Sequence, residues 1–210
     1  MPFHPVCIPD SWRAGSTIPR KPTPRKTHPV GLRLPPMPPI PERKPSLELG
    51  MMSRPMMRIA TASESDANMI AYLVNQAFLV ERFFIERDRT NPAAVRDLMK
   101  KGKFLFAGDG KIILGCIYME QRGERGYFGM LSVDPSRQRM GVGRFLVDAV
   151  EKYFREAGCK FCDLKIVNAR TDLHDLYHRW GYVDTGTAVY DDPTPTKIPV
   201  HFITMSKPLL

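Results

Sequence analysis

No stretch of the 210 residues approaches the ~18–20 consecutive apolar residues that a membrane-spanning helix needs, which excludes a helical membrane protein. The shorter apolar run of a secretory signal is missing too. Cysteine is scarce. Cys7, Cys116, Cys159 and Cys162 are too few and too spread out for the disulfide framework of a small secreted domain. These absences lead to the expectation of a reduced, cytoplasmic protein. Acids are also thin, at 22 Asp and Glu against 31 Lys and Arg, a formal charge of +9. Such an excess invites a nucleic-acid reading.

That charge is unevenly placed. Residues 1–55 hold 14 of the 20 prolines and nine Lys and Arg against three acids, so they carry +6 and residues 56–210 only +3. The basic part offers just Phe3 and Trp12 for base stacking, so a nucleic-acid partner is not expected. Runs such as Leu34-Pro-Pro-Met-Pro-Pro-Ile-Pro41 cannot enter a helix or a central strand, because proline lacks the N–H and restricts its neighbour. Residues 1–55 are therefore expected as a disordered, polyproline-like extension. Met51, Met52, Met56 and Met57 offer alternative starts, in which case the extension is a gene-model artefact. An SH3 or WW ligand is another use of such prolines. A mitochondrial presequence fits the arginines but not the prolines. Residues 56–210 are expected as one domain.

Within that domain the pattern predicts a strand over 57–63, with Ser63 and Asp66 as a capping box before a helix carrying Ile70, Leu73, Val74, Ala77 and Phe78. Asn91-Pro92 opens a second helix that Gly102 ends. Strands follow over 103–107 and 111–119, flanking the hairpin signal Gly108-Asp109-Gly110, and over 126–133. Val142, Phe145, Leu146, Ala149, Val150 and Tyr153 form the stripe of an amphipathic helix, with Asp148/Lys152 and Glu151/Arg155 as pairs on its wet face and Gly158 at its end. A buried strand over 161–167, a short helix capped by Thr171 and ended by Gly181, and strands over 182–190 and 200–206 complete the chain. The order predicts an α/β (α+β) fold with a mixed sheet flanked by helices. Cys159-Lys-Phe-Cys162 lacks the second pair of a metal site, so buried structural cysteines are expected.

The chemistry concentrates in Met130-Leu-Ser-Val-Asp-Pro-Ser-Arg-Gln-Arg-Met-Gly-Val-Gly-Arg144. A strand runs into a two-glycine loop and then into the strongest helix. Free N–H groups and the helix dipole favour an anion there, Gly141 and Gly143 allow its close approach, and Arg139 and Arg144 add charge. A pyrophosphate is the natural guest. The loop lacks the Gly-Lys-Ser/Thr ending of a Walker A motif, and Leu146 stands where a dinucleotide fingerprint needs its third glycine.

The stretch Gln138-Arg-Met-Gly141-Val-Gly143 resembles the Q/R-x-x-G-x-G/A signature of the GNAT (GCN5-related) N-acetyltransferases. Leu176-Tyr177-His-Arg-Trp-Gly181-Tyr182 resembles that family's L-Y-x-x-x-G-F/Y segment. The resemblance covers about residues 56–207. It implies an acyl-CoA N-acyltransferase fold with a mixed sheet of about six to seven strands. It implies acetyl-CoA as co-substrate, no metal, and an amine acceptor on a small molecule or a protein. Main-chain groups of Leu131 and Val133 would hold the pantetheine arm, and the loop Gln138, Arg139, Met140, Gly141, Val142, Gly143 and Arg144 would bind the pyrophosphate. Tyr177 would protonate the leaving thiolate as general acid. The family's cofactor-contacting Asn, seven positions before this Tyr, is Arg170 here, with Asn168 nearest. Arg170 would then meet a cofactor phosphate or face water.

Glu120 is the expected general base and Glu124 a weaker candidate, while a backbone carbonyl with a water is an equal alternative. The acceptor pocket would draw on residues 80–90. Phe83, Phe84 and Ile85 would form an apolar wall and Glu81, Glu86 or Asp88 would hold an ammonium, unless this segment is a second helix packing its aromatics inward. His174 and His178 lack the Glu of an H-E-x-x-H site and are expected as surface histidines. A homodimer is compatible with the resemblance, and a membrane partner is not expected. A non-catalytic acyl-CoA-binding module and a transferase of another acyl group are the alternatives.

Overall fold

The computed structural model describes residues 57–109 and 112–209. The expected extension over 1–55 and the tip of the Gly108-Asp109-Gly110 hairpin lie outside the described residues. The strands are β1 Arg58–Thr61, β2 Lys103–Gly108, β3 Ile113–Arg122, β4 Arg125–Val133, β5 Phe161–Val167, β6 Val183–Val189 and β7 His201–Pro208. The helices are α1 Ala67–Phe78, α2 Pro92–Met99, α3 Val142–Glu156 and α4 Thr171–Arg179. One seven-stranded sheet runs in the order β1-β2-β3-β4-β5-β7-β6. Every pairing is antiparallel except β4 with β5. The fold is the mixed α/β architecture expected. No helix among the described residues is long and apolar enough to cross a membrane.

The helix starts follow from the local chemistry. Asp66 accepts from both the N–H and the hydroxyl of Ser63 at 2.7 Å, through a short 3-10 turn that leads into α1. The side chain of Asn91 accepts from Ala94 N, with Pro92 at the first helical position. Period-2 alternation sorts the strand side chains onto two faces. On one, Phe104, Phe106, Cys116 and Tyr118 meet Ile70, Val74 and Val95 of α1 and α2. On the other, Leu105, Ile117, Met119 and Phe128 meet Val142, Leu146, Val150 and Phe154 of α3. Gly126 is what lets α3 lie this close, because a Cβ there would fall inside the Phe154 ring.

Three expectations for α3 need correction. Phe154, not Tyr153, completes the buried stripe, and Tyr153 is exposed. Glu151, expected on the wet face, is only 2% exposed. It does pair with Arg155 at 3.1 Å, but it also takes both Lys207 hydrogen bonds at 2.9 Å and the Tyr182 hydroxyl at 3.0 Å. The helix turns that face inward because β7 supplies a cation and α4's exit loop a phenol. Asp148 pairs with Arg144 rather than Lys152, and Lys152 with Glu156. Thr171 is the first residue of α4 rather than its cap, and Arg170 occupies the cap position. Gly158 and Gly181, at φ 76° and 87°, end α3 and α4 as expected.

Candidate functional site

The site is built on the single parallel pairing. β4 and β5 are in register only over Arg125–Tyr127 and Phe161–Asp163. A bidentate Arg125–Asp163 pair, at 2.5 and 2.6 Å, pins that end. Beyond Tyr127 the strands part. The cause lies in β4, where a bulge opposite Ile117 bends the strand and Met130 sits at φ 49°, a left-handed conformation unusual for methionine. Main-chain groups of β4 around Leu131 and Val133 therefore face a gap on the β5 side, which parallel neighbours would normally fill.

The gap opens onto the N-terminus of α3. Val142, Gly143 and Arg144 form the first turn, whose N–H groups have no intrahelical partner. Gly141 caps it at φ 84°, with nothing within 4 Å of the place a Cβ would occupy. Gln138, Arg139 and Met140 are exposed before it, with Arg139 at φ 64°. A Cβ on Gly143 would meet Val133, Leu131 and Trp180 at 3.7, 3.8 and 3.9 Å. Strand end, glycine loop and the end of α4 thus converge. The backbone is open where a chain of phosphates would lie, so the residues present fit a CoA pyrophosphate. Arg144 is shared between Asp148 at 2.7 Å and the face of Trp180 at 5.3 Å.

Tyr177 projects from α4 into the same region. Its ring is buried among Phe128, Trp180 and Tyr182, with centroids 6.0, 5.5 and 5.8 Å away. None of the hydrogen bonds among the described residues uses its hydroxyl. Burial pushes the phenol's pKa up, partly offset by the Arg170 cation, so the proton stays on.

The other expected residues separate. Glu120 accepts from Arg122 at 2.8 Å and from Tyr118 at 3.1 Å, and the Arg122 bond holds its carboxyl below the usual range. That makes it a poor proton acceptor. Glu124 pairs with Lys160 at 2.8 Å in the exposed hairpin. Asn168 accepts from His201 N at 2.9 Å, so its amide carbonyl is committed to the β5–β7 ladder. Arg170 neither faces water nor the α3 loop. It is 12% exposed and bridges Asp172 at 2.8 Å and Glu81 at 3.5 Å.

Residues 80–90 are not a second regular helix. A 3-10 turn, Leu79–Phe83, leads into an irregular stretch clasped by the β6–β7 connection: Ile85 bridges Thr196, and Lys197 N donates to Phe84 O at 2.7 Å. Phe84 is buried against Val167 and Phe202, and Phe83 is exposed, so only Ile85 of the expected wall lines the cleft formed here with Phe78, Glu81, Arg87, Arg89 and Tyr190. Glu86 and Asp88 point away, to Lys197 and Arg82. Glu81 is 6% exposed, and burial raises its carboxyl's pKa against the pull of Arg89, Arg170 and Arg87. Arg87 pairs with Asp192. The Nε atoms of Arg87 and Arg89 and the Tyr190 hydroxyl are buried without partners among the described residues. Arg89 lies in the expected 80–90 segment, whereas Tyr190 carries no sequence signal of its own, because only the chain's return at the end of β6 brings it here. The described cysteines are free and buried, with burial pushing Cys116 and Cys162 up to about 12, which suits a structural role.

A sequence model of the acetyltransferase (GNAT) family matches residues 69–182, just over half of the chain. No curated protein matches the chain significantly. Among solved structures, the ribosomal-protein-S18-alanine N-acetyltransferase from Escherichia coli is 15% identical over 73% of this chain and 94% of its own, with a TM-score of 0.60. Ard1 from Thermoplasma volcanium is 20% identical over 73% and 98%, at 0.61. The protein yncA from Salmonella typhimurium, solved with its cofactor acetyl-CoA, is 17% identical over 73% and 94%, at 0.57. At these identities the structural likeness speaks for the fold.

Proposed function

The chain belongs to the GNAT acetyltransferase family, and we propose that residues 56–210 carry an N-acetyltransferase that moves the acetyl group of acetyl-CoA directly to an amine. The observation that carries this reading is the parting of β4 and β5 beyond Tyr127 beside the open glycine cap of α3. Acetyl-CoA, when bound, supplies an activated thioester. Leu131 and Val133 hold its pantetheine arm through main-chain groups, as an added strand would be held. The amides from Arg139 to Arg144, with Gln138 and Met140 shaping the loop, hold the pyrophosphate. Asn168 drops out of this set, because its side chain serves the β5–β7 ladder.

Tyr177 acts as general acid. Burial keeps its proton on the oxygen, and the hydrogen bond it gives strengthens as negative charge grows on the departing sulfur. Glu81 replaces Glu120 as the group that meets the amine and takes its proton, directly or through a water. Its raised pKa brings it closer to the working pH, which suits a base, whereas Arg122 makes Glu120 less basic. Arg170 touches Glu81 and its field reaches Tyr177, so it spans the two ends of the proton path. The partnerless donors of Arg87, Arg89 and Tyr190 favour an acceptor with an anionic oxygen near its amine, because unmade hydrogen bonds of buried groups are costly.

Calorimetric titration of the full chain with CoA tests the binding half. One molecule per chain is expected, weakened by Arg139→Ala and by Gly141→Val. A chain that binds no CoA ends this reading. The anionic preference is tested by comparing amines with and without a carboxylate, and equal kcat/KM for both would remove it.

A further inference from the structure

We propose that His174, His178 and Asp184 form a binding site for a divalent transition-metal ion, zinc above all. The helix α4 places the two histidines one turn apart, on neighbouring positions of its surface. Gly181, at φ 87°, then reverses the chain, and Asp184 arrives as the second residue of β6. The Nε2 atoms of the two rings are 3.1 Å apart. Nε2 of His174 is 3.0 and 2.9 Å from the two Asp184 oxygens, and Nε2 of His178 is 3.1 Å from Oδ1. The ring planes stand at 85° to each other.

This triangle cannot be satisfied by protons. Each ring nitrogen carries either one hydrogen or one lone pair. If both nitrogens are protonated, both donate to Asp184, but two N–H groups then face each other across 3.1 Å. If only one is protonated, the other turns its lone pair towards a carboxylate oxygen. A cation at the centre accepts all three lone pairs at once. Nitrogen ligands at 2.0–2.1 Å from a tetrahedral zinc lie about 3.3 Å apart, close to the edges found here. Two imidazoles and one carboxylate suit zinc, copper or nickel, whereas magnesium and calcium require oxygen ligands. The side chains are 31%, 41% and 46% exposed, so the fourth position faces solvent and the ion has a free entry path.

The ion would clip α4 to β6 across the Gly181 turn. Because α4 also carries Tyr177, the clip is a brace for that helix. The site is independent of the acetyl-transfer reading, and it stands or falls by metal binding alone. Spacing in the sequence concealed it, since the third ligand comes from the next strand rather than from an H-E-x-x-H helix.

The test is calorimetric titration of the full chain, freed of metal by a chelator that is then removed, with zinc sulfate. One ion per chain is expected, with no heat from magnesium. Asp184→Asn, which keeps the shape of the side chain but removes a charged ligand, should weaken zinc by at least the ~10–100-fold that loss of a mere outer-shell partner costs, and the His174→Ala/His178→Ala double variant should lose it. His201→Ala, which changes an exposed histidine of β7, should bind as the wild type does. Zinc should raise the melting temperature of the wild type and leave that of the double variant unmoved. Absence of binding to the wild type, or equal binding by the double variant, would overturn the proposal.

Discussion

Replacing Tyr177 by Phe removes one oxygen and leaves the ring. Phe128, Trp180 and Tyr182 hold that ring on three sides, and those contacts survive the substitution. Since no group among the described residues hydrogen-bonds the hydroxyl, no partner among them is orphaned. Stability should therefore change by less than about 1 kcal/mol. If the phenol is the general acid, turnover should fall on the order of 10²–10⁴-fold while CoA affinity holds. The variant also has a pH signature. Burial keeps the phenol's pKa above the ~10 of the unfolded chain, so the folded state retains a proton that the unfolded state loses. That contribution to stability is complete below pH ~10 and is lost as the pH rises beyond it. Tyr177→Phe should remove this alkaline slope. The assay is amine-dependent release of free thiol, with calorimetry for CoA and denaturant unfolding for stability. An unchanged turnover number would refute the acid assignment, and a severe loss of stability would show that the hydroxyl is structural.

Glu81→Gln should depress kcat and leave CoA affinity intact. In the wild type, the rising limb of kcat against pH should lie above the ordinary carboxylate range, because burial raises this group. Glu120→Gln should leave kcat within a small factor, and a collapse there would return the base to β3. Glu151→Ala strands the Lys207 ammonium, which is 18% exposed, and should cost about 3 kcal/mol in chemical denaturation. Gly126→Ala should destabilise by about 1–3 kcal/mol, because the added methyl overlaps the buried Phe154 ring. Gly143→Ala should do the reverse for folding, gaining up to about 1 kcal/mol in a helix where the methyl meets only ordinary contacts, while weakening CoA.

The order of strands and helices was legible because strong local signals mark nearly every boundary. Asn91-Pro92 caps α2, Asp134-Pro135 stops β4, and Gly158 and Gly181 end their helices. The strand–loop–helix unit around Gly141 and Gly143 was legible for the same reason, whereas the roles proposed for that loop and for Tyr177 come from the family resemblance. What spacing could not show is which polar residue meets which across the sheet. Glu151 reads as a wet-face acid until β7 delivers Lys207 to it. Glu120 reads as free until Arg122, two residues along the same strand, takes its carboxylate. Glu81 meets Arg170 only when the turn before α4 reaches it, while the β6–β7 connection clasps the residues that follow it. Nor does any local pattern announce that β4 and β5 pair for three residues and then part.

The proposed function rests on direct acetyl transfer at that parting. It is tested most directly by incubating the full chain with acetyl-CoA and a panel of amines, following free thiol and the mass of each amine. Thiol release that requires an amine is expected, matched by one acetyl group gained on that amine. Tight CoA binding with no amine-dependent release, across small amines and peptides alike, would contradict it.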